Sequence, residues 1–64
     1  MHDLVSSKKT DNGIIVCWSE GNQVKDRSFT HQELVEMKID ADDLLGRPML
    51  YKITMELNKY LLKR

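Results

Sequence analysis

The sequence predicts a small α+β domain, an antiparallel β-meander of two or three strands followed by two to three helices in the order (β)ββαα. Three observations carry that expectation. An Asn-Gly turn signal at 11–13 stands before an unbroken β-branched and apolar run, "IIVCW". A second turn signal, "EGNQ" at 20–23, separates that run from "VKDRSF". From Thr30 onward, helix caps and helical spacing replace strand-like runs.

Taken in order, "LVSSKK" near the start reads either as a polar edge strand, which makes the meander three-stranded, or as a tail. "DNG" suits the positive φ values of a type I′ hairpin turn. "IIVCW" has the character of a central strand. If Gly21 and Asn22 form the next turn, Trp18 opposes Lys25, Val16 opposes Arg27 and Ile14 opposes Phe29, with Lys9 flanking Val16. "THQE" at 30–33 is a capping box, which starts a helix over "HQELVEMK". "DADDLLG" restarts a short helical turn, capped by Asp40 and stopped by Gly46. Pro48 suits the first turn of a closing helix over residues 47–64.

That closing segment, "RPMLYKITMELNKYLLKR", is apolar on two sides at about 100° per residue. Leu50, Leu57 and Leu61 form one line, flanked by Ile53, Tyr60 and Met49. Tyr51, Met55 and Leu62 form the other. Leu50, Ile53, Leu57 and Tyr60 keep an a/d spacing over two heptads. A single small domain ordinarily buries one such face. The second is therefore expected to meet a second copy of the chain, through Met49, Ile53, Met55, Tyr60 and Leu62.

Composition sets outer bounds. Sixty-four residues make one domain at most, spanning 1–64, and a chain of this size is marginal without help. Cys17 is the only cysteine, so no internal disulfide supplies that help. Cys17, His2 and His31 lack the paired spacing of a zinc site. Net charge is zero but unevenly spread. Residues 30–46 hold Glu33, Glu36, Asp40, Asp42 and Asp43 against Lys38. Residues 47–64 hold Arg47, Lys52, Lys59, Lys63 and Arg64 against Glu56. An acidic middle can thus complement a basic end, within one chain or between two. "MHDLVSSKKT" carries no apolar signal run, no 18 consecutive apolar residues occur, and the thiol stands alone. These point to an intracellular, cytoplasmic protein with no membrane segment.

The chemistry-bearing patterns are sparse. Cys17 lies mid-strand in an apolar run, and the serines lack an elbow motif. No Gly-rich phosphate loop is present, and an EF-hand loop from Asp40 would fail at Leu44 and Tyr51. No catalytic residue, cofactor, metal or small-molecule substrate is expected. The leading expectation is a small non-enzymatic interaction or regulatory module, homodimeric through its closing helix. The alternative is a nucleic-acid binder that uses one face of its hairpin together with the basic C-terminal end. Lys9, Trp18, Lys25 and Arg27 would share a sheet face with Phe29, where aromatics stack bases and cations meet phosphate. The competing use of that face is as core, with Lys25 and Arg27 laying their stems over the rings.

Overall fold

In the computed structural model, residues 1–54 and 60–63 are described. Strands β1 (His2–Lys9), β2 (Gly13–Glu20) and β3 (Gln23–Thr30) lead into two six-residue helices, α1 (His31–Glu36) and α2 (Ala41–Gly46). A 3₁₀ turn at Pro48–Leu50 then gives way to two short strands, β4 (Tyr51–Ile53) and β5 (Leu61–Lys63). The sheet is antiparallel, in the order β3-β2-β1-β4-β5. The fold is α+β as expected, but strands dominate it, and the plan of a two- or three-stranded meander followed by helices does not hold.

The β2–β3 hairpin has the expected register, with Ile14 opposite Phe29, Val16 opposite Arg27 and Trp18 opposite Lys25. Its turn needs Gly21, whose φ is +61° while that of Asn22 is not positive, the pattern of a II′ turn. The first hairpin also forms, so "LVSSKK" belongs to a strand. Neither Asn12 nor Gly13 takes a positive φ, however. Thr10 closes the loop instead, its amide donating to the Gly13 carbonyl at 2.9 Å and its Oγ1 accepting from the Gly13 amide. Lys9 therefore sits opposite Ile14, not beside Val16, and Ser7 takes that place.

A β-bulge at Val5 sets which way β1 faces. Leu4 pairs with Trp18 and Ser6 with Cys17, so Val5 is an extra residue. Leu4 and Ser7 then both face the helices. Leu4 joins the core, and Ser7 Oγ donates to the Leu44 carbonyl at 2.7 Å.

The helices end where local chemistry stops them. Thr30 and Glu33 exchange side chain-to-amide hydrogen bonds in the expected capping box. The chain leaves α1 through Lys38, at φ +59°, with Ile39 N–H donating to the Leu34 carbonyl and Lys38 N–H to that of Val35. This is a Schellman motif with lysine where glycine is usual. Asp40 caps α2 by accepting from the amides of Asp42 and Asp43.

The closing helix is the main correction. Tyr51 is extended at φ −119°, ψ 153°, and Tyr51–Ile53 pairs with both β1 and β5. The alternation of Tyr51 in, Lys52 out, Ile53 in satisfies a strand as well as a helix stripe. A strand here also supplies the partner that β1's second edge needs. Met55 and Leu57 lie outside the described residues. The a/d seam through Leu50, Ile53 and Tyr60 therefore does not form as a helix face.

One core results. Leu4, Ile14, Val16, Trp18, Phe29, Leu34, Leu44, Tyr51, Ile53 and Leu61 are buried together, with Met37, Ile39, Ala41, Leu45 and Leu50 packed against them. Among the described residues no helix is long and apolar enough to cross a membrane.

Three backbone substitutions test these points. Lys38→Gly removes the left-handed penalty and is expected to raise stability by about 1 kcal/mol in urea denaturation. A Cβ at Gly13 would lie 1.9 Å from the Phe29 carbonyl oxygen, so Gly13→Ala is expected to abolish the cooperative transition. Gly21→Ala, with open space around it, costs only about 1–2 kcal/mol.

Candidate interaction surface

Both helices and the 3₁₀ turn lie on one side of the sheet. Pleating alternates side chains between faces, so the residues paired with neither helix nor core can be read from the registers. On β2 these are Ile15, Cys17 and Ser19, and on β3 Val24, Asp26 and Ser28. On β1 Asp3, opposite Lys52, lies on this face; the bulge turns Val5 and Ser6 the same way, and Lys8 follows. Lys52 and Leu62 extend the face across β4 and β5. Val24 is 74% exposed, Val5 64% and Leu62 38%. Ile15 and Cys17 are half-buried by their sheet neighbours alone and take no part in the core. The outcome is a mixed face on which Val24, Ile15, Cys17, Val5 and Leu62 stand among Asp3, Asp26, Lys8 and Lys52, with no described element covering it.

Of the interface residues expected from the sequence, Met55 lies outside the described residues, and Met49, Ile53, Tyr60 and Leu62 are placed as follows. Leu62 lies on the bare face. Ile53 points the other way and is wholly buried, so it contacts no partner. Met49 projects, exposed, from the 3₁₀ turn. Tyr60 is partly exposed, its amide donating to Thr54 Oγ1 at 3.2 Å and its carbonyl accepting from the Thr54 amide. Sequence reasoning missed Val5, Ile15 and Val24. The signal for Ile15 and Val24 was available in the hairpin register, which assigns them to the face opposite Trp18.

The residues of the nucleic-acid alternative are separated by burial. Trp18 is fully buried, and its indole N–H donates to Glu20 Oε2 at 2.7 Å. Phe29 is also in the core. Arg27 lies 4.1 Å over the Phe29 ring and reaches Glu33 at 3.4 Å. Lys9 and Lys25 remain exposed. The rings are thus beneath the helices, out of reach of a base, and the face serves as core.

The acidic middle and basic end meet within the chain at Asp43. Its Oδ1 accepts from Arg47 Nε at 2.9 Å, and its Oδ2 from Tyr51 Oη at 2.6 Å and Lys63 Nζ at 3.0 Å. One carboxylate therefore ties α2 to β4 and β5. Its acidity is strengthened well below the usual carboxylate range, first by the Tyr51 hydroxyl and then by Lys63 and Arg47. Burial, together with the hydrogen bond to Asp43, pushes Tyr51 up to about 12. Asp40, Asp42, Asp43, Arg47 and Lys63 line an open depression of about 430 Å³. Asp40 and Asp43 are already committed there to capping and tethering. Among the described residues no group of three or more His, Cys, Asp and Glu could hold a metal ion. Cys17 faces the bare side, whereas His31 opens α1 on the other.

No family matches the chain, and no curated protein or solved structure matches it either.

The Asp43–Tyr51 contact carries a pH signature. Because Tyr51 titrates higher when folded, its contribution is full below the unfolded tyrosine value of about 10 and is lost as pH rises towards about 12. Tyr51→Phe is expected to flatten that alkaline loss of urea midpoint. Asp43 behaves oppositely, stabilising above the unfolded carboxylate range and ceasing to do so as acid protonates it. Asp43→Asn is expected to lower the neutral-pH midpoint and reduce its fall in acid.

Proposed function

We propose that this chain is a small non-enzymatic protein-interaction module, and that its working surface is the bare face of the sheet. The observation that carries this reading is one-sided coverage. Every described helix packs on the Trp18 face, while Val5, Ile15, Cys17, Val24 and Leu62 line the other. Exposed apolar side chains interspersed with polar and charged ones are the usual composition of a protein contact surface. Lone, scattered apolar residues would not argue this way, but here they occupy adjacent strands of one face.

The nucleic-acid alternative lacks its stacking platform, because Trp18 and Phe29 are in the core. Lys9 and Lys25, with Arg47 and Lys63 of the basic end, offer phosphate contact without base recognition.

Two valines of equal exposure on opposite sides of the molecule allow a controlled test. Val24 lies on the bare face and Val35 on α1, at 74% and 73% exposure. A photo-crosslinking diazirine amino acid placed at position 24 is expected to capture protein efficiently, and at position 35 much less so. Equal capture from both positions, or none from position 24, would overturn the reading. Oligonucleotide binding that weakens steeply with salt and disappears in Lys25→Glu would favour the alternative instead.

A further inference from the structure

Independently of the bare face, we infer that Met37 is a modification site for hydroperoxides, and that its oxidation to the sulfoxide releases β5 from the rest of the fold. The observation is a single hydrogen bond. The Leu61 amide donates to Met37 Sδ at 3.3 Å, joining the end of α1 to the start of β5.

The strand register explains why an acceptor is needed there. Thr54 N–H donates to the Tyr60 carbonyl, which makes Thr54 and Tyr60 a bonded pair on the β4–β5 ladder. Ile53 with Leu61 is then a non-bonded pair, and the Leu61 amide points away from β4. β5 is the last strand of the sheet, so no further described strand meets that amide. Leu61 is only 2% exposed, and a buried amide without an acceptor is costly. Met37 fills the gap with a thioether, a weak acceptor. The helix end fixes its position: Met37 N–H donates to the Glu33 carbonyl at 3.0 Å, and the left-handed Lys38 then turns the chain away.

Met37 is half-buried against the core, so a small peroxide can reach it. A sulfur lone pair attacks the outer oxygen of the hydroperoxide. The S–O bond forms as the O–O bond breaks, the hydroxyl proton passes to the leaving oxygen, and water or an alcohol departs. The methionine loses two electrons and the peroxide gains them. Either sulfoxide epimer spoils the contact. Oxygen on the lone pair that faces Leu61 intrudes between two groups already in contact. Oxygen on the other leaves an electron-poor sulfur and sets a polar group against the core. Among the described residues β5 is otherwise held by three pairings with β4 and by Lys63 on Asp43, so little else retains it. Met1 and Met49 are more exposed, but neither sulfur holds a backbone group.

The test treats the whole chain with graded hydrogen peroxide, locates each added oxygen by fragment mass, and follows amide hydrogen exchange. Oxygen is expected on Met37, with exchange at Leu61–Lys63 about tenfold faster and the β2–β3 hairpin unchanged. Met37→Leu, oxidised in parallel, should keep its own untreated exchange rates, and methionine sulfoxide reductase should restore slow exchange in the natural chain. Should Met37→Leu not fold, the time course decides: loss of protection must follow the oxidation of Met37 and not that of Met1, Met49 or Met55. Met37 left unoxidised while Met1 and Met49 react to completion overturns the inference. So does oxygen on Met37 without faster exchange in β5, equal acceleration in Met37→Leu, or acceleration spread uniformly over all strands.

Discussion

A six-residue α-helix is about 9 Å long, whereas an eight-residue strand runs about 26 Å. Two such helices and a 3₁₀ turn must nevertheless cover the apolar face of three long strands. They do so by dividing the work, α1 over the β2–β3 hairpin and α2 with the 3₁₀ turn over β1. Among the described residues nothing is left over for the reverse face. The same shortage explains why the core draws on the last segment of the chain, since Tyr51, Ile53 and Leu61 fill space that two short helices cannot. Asp43 holds the joint where these parts converge, its carboxylate fastening the end of α2 to both closing strands.

The sequence was most legible where one local rule acted alone. The β2–β3 register followed from a two-residue turn, and both helix starts followed from the side chains of Thr30, Glu33 and Asp40. It was least legible where two rules agreed with the residues. Tyr51, Lys52 and Ile53 alternate correctly for a strand, and Ile53 beside Leu50, Leu57 and Leu61, with Tyr51 on the second apolar line, fits an amphipathic helix equally well. What decided between them was the open edge of β1, fifty residues away and invisible to any local pattern. The same ambiguity reaches the site. A helix reading puts Ile53 in a seam whereas its side chain is core, and the Val5 bulge gives no local signal of which way β1 faces. The charge complement, by contrast, was legible in outline, though it is realised inside the chain at Asp43.

For a chain of this size, the surface and the stability are linked quantities. A 64-residue domain without disulfides buries too little of its surface to be firmly stable alone. Binding to the folded state adds stability by mass action, so an occupant of the bare face would support the fold as well as define its use. Charged residues on that face also fit a surface that must stay dispersed until its proper partner arrives.

The position of β1 within the sheet has a kinetic meaning. It is the first strand in sequence and the middle one in space, with β2 beside it through a short loop. Its other edge is closed only by His2 with Ile53 and Asp3 with Lys52. The hairpins on either side are local and cheap in loop entropy, whereas this ladder joins residues 51 and 49 positions apart. Nearly all of the topological cost of the fold is therefore gathered into two residue pairs. Until they form, the molecule is a β-hairpin sheet with an unguarded central strand, and the step that protects it is the step that chain entropy most delays.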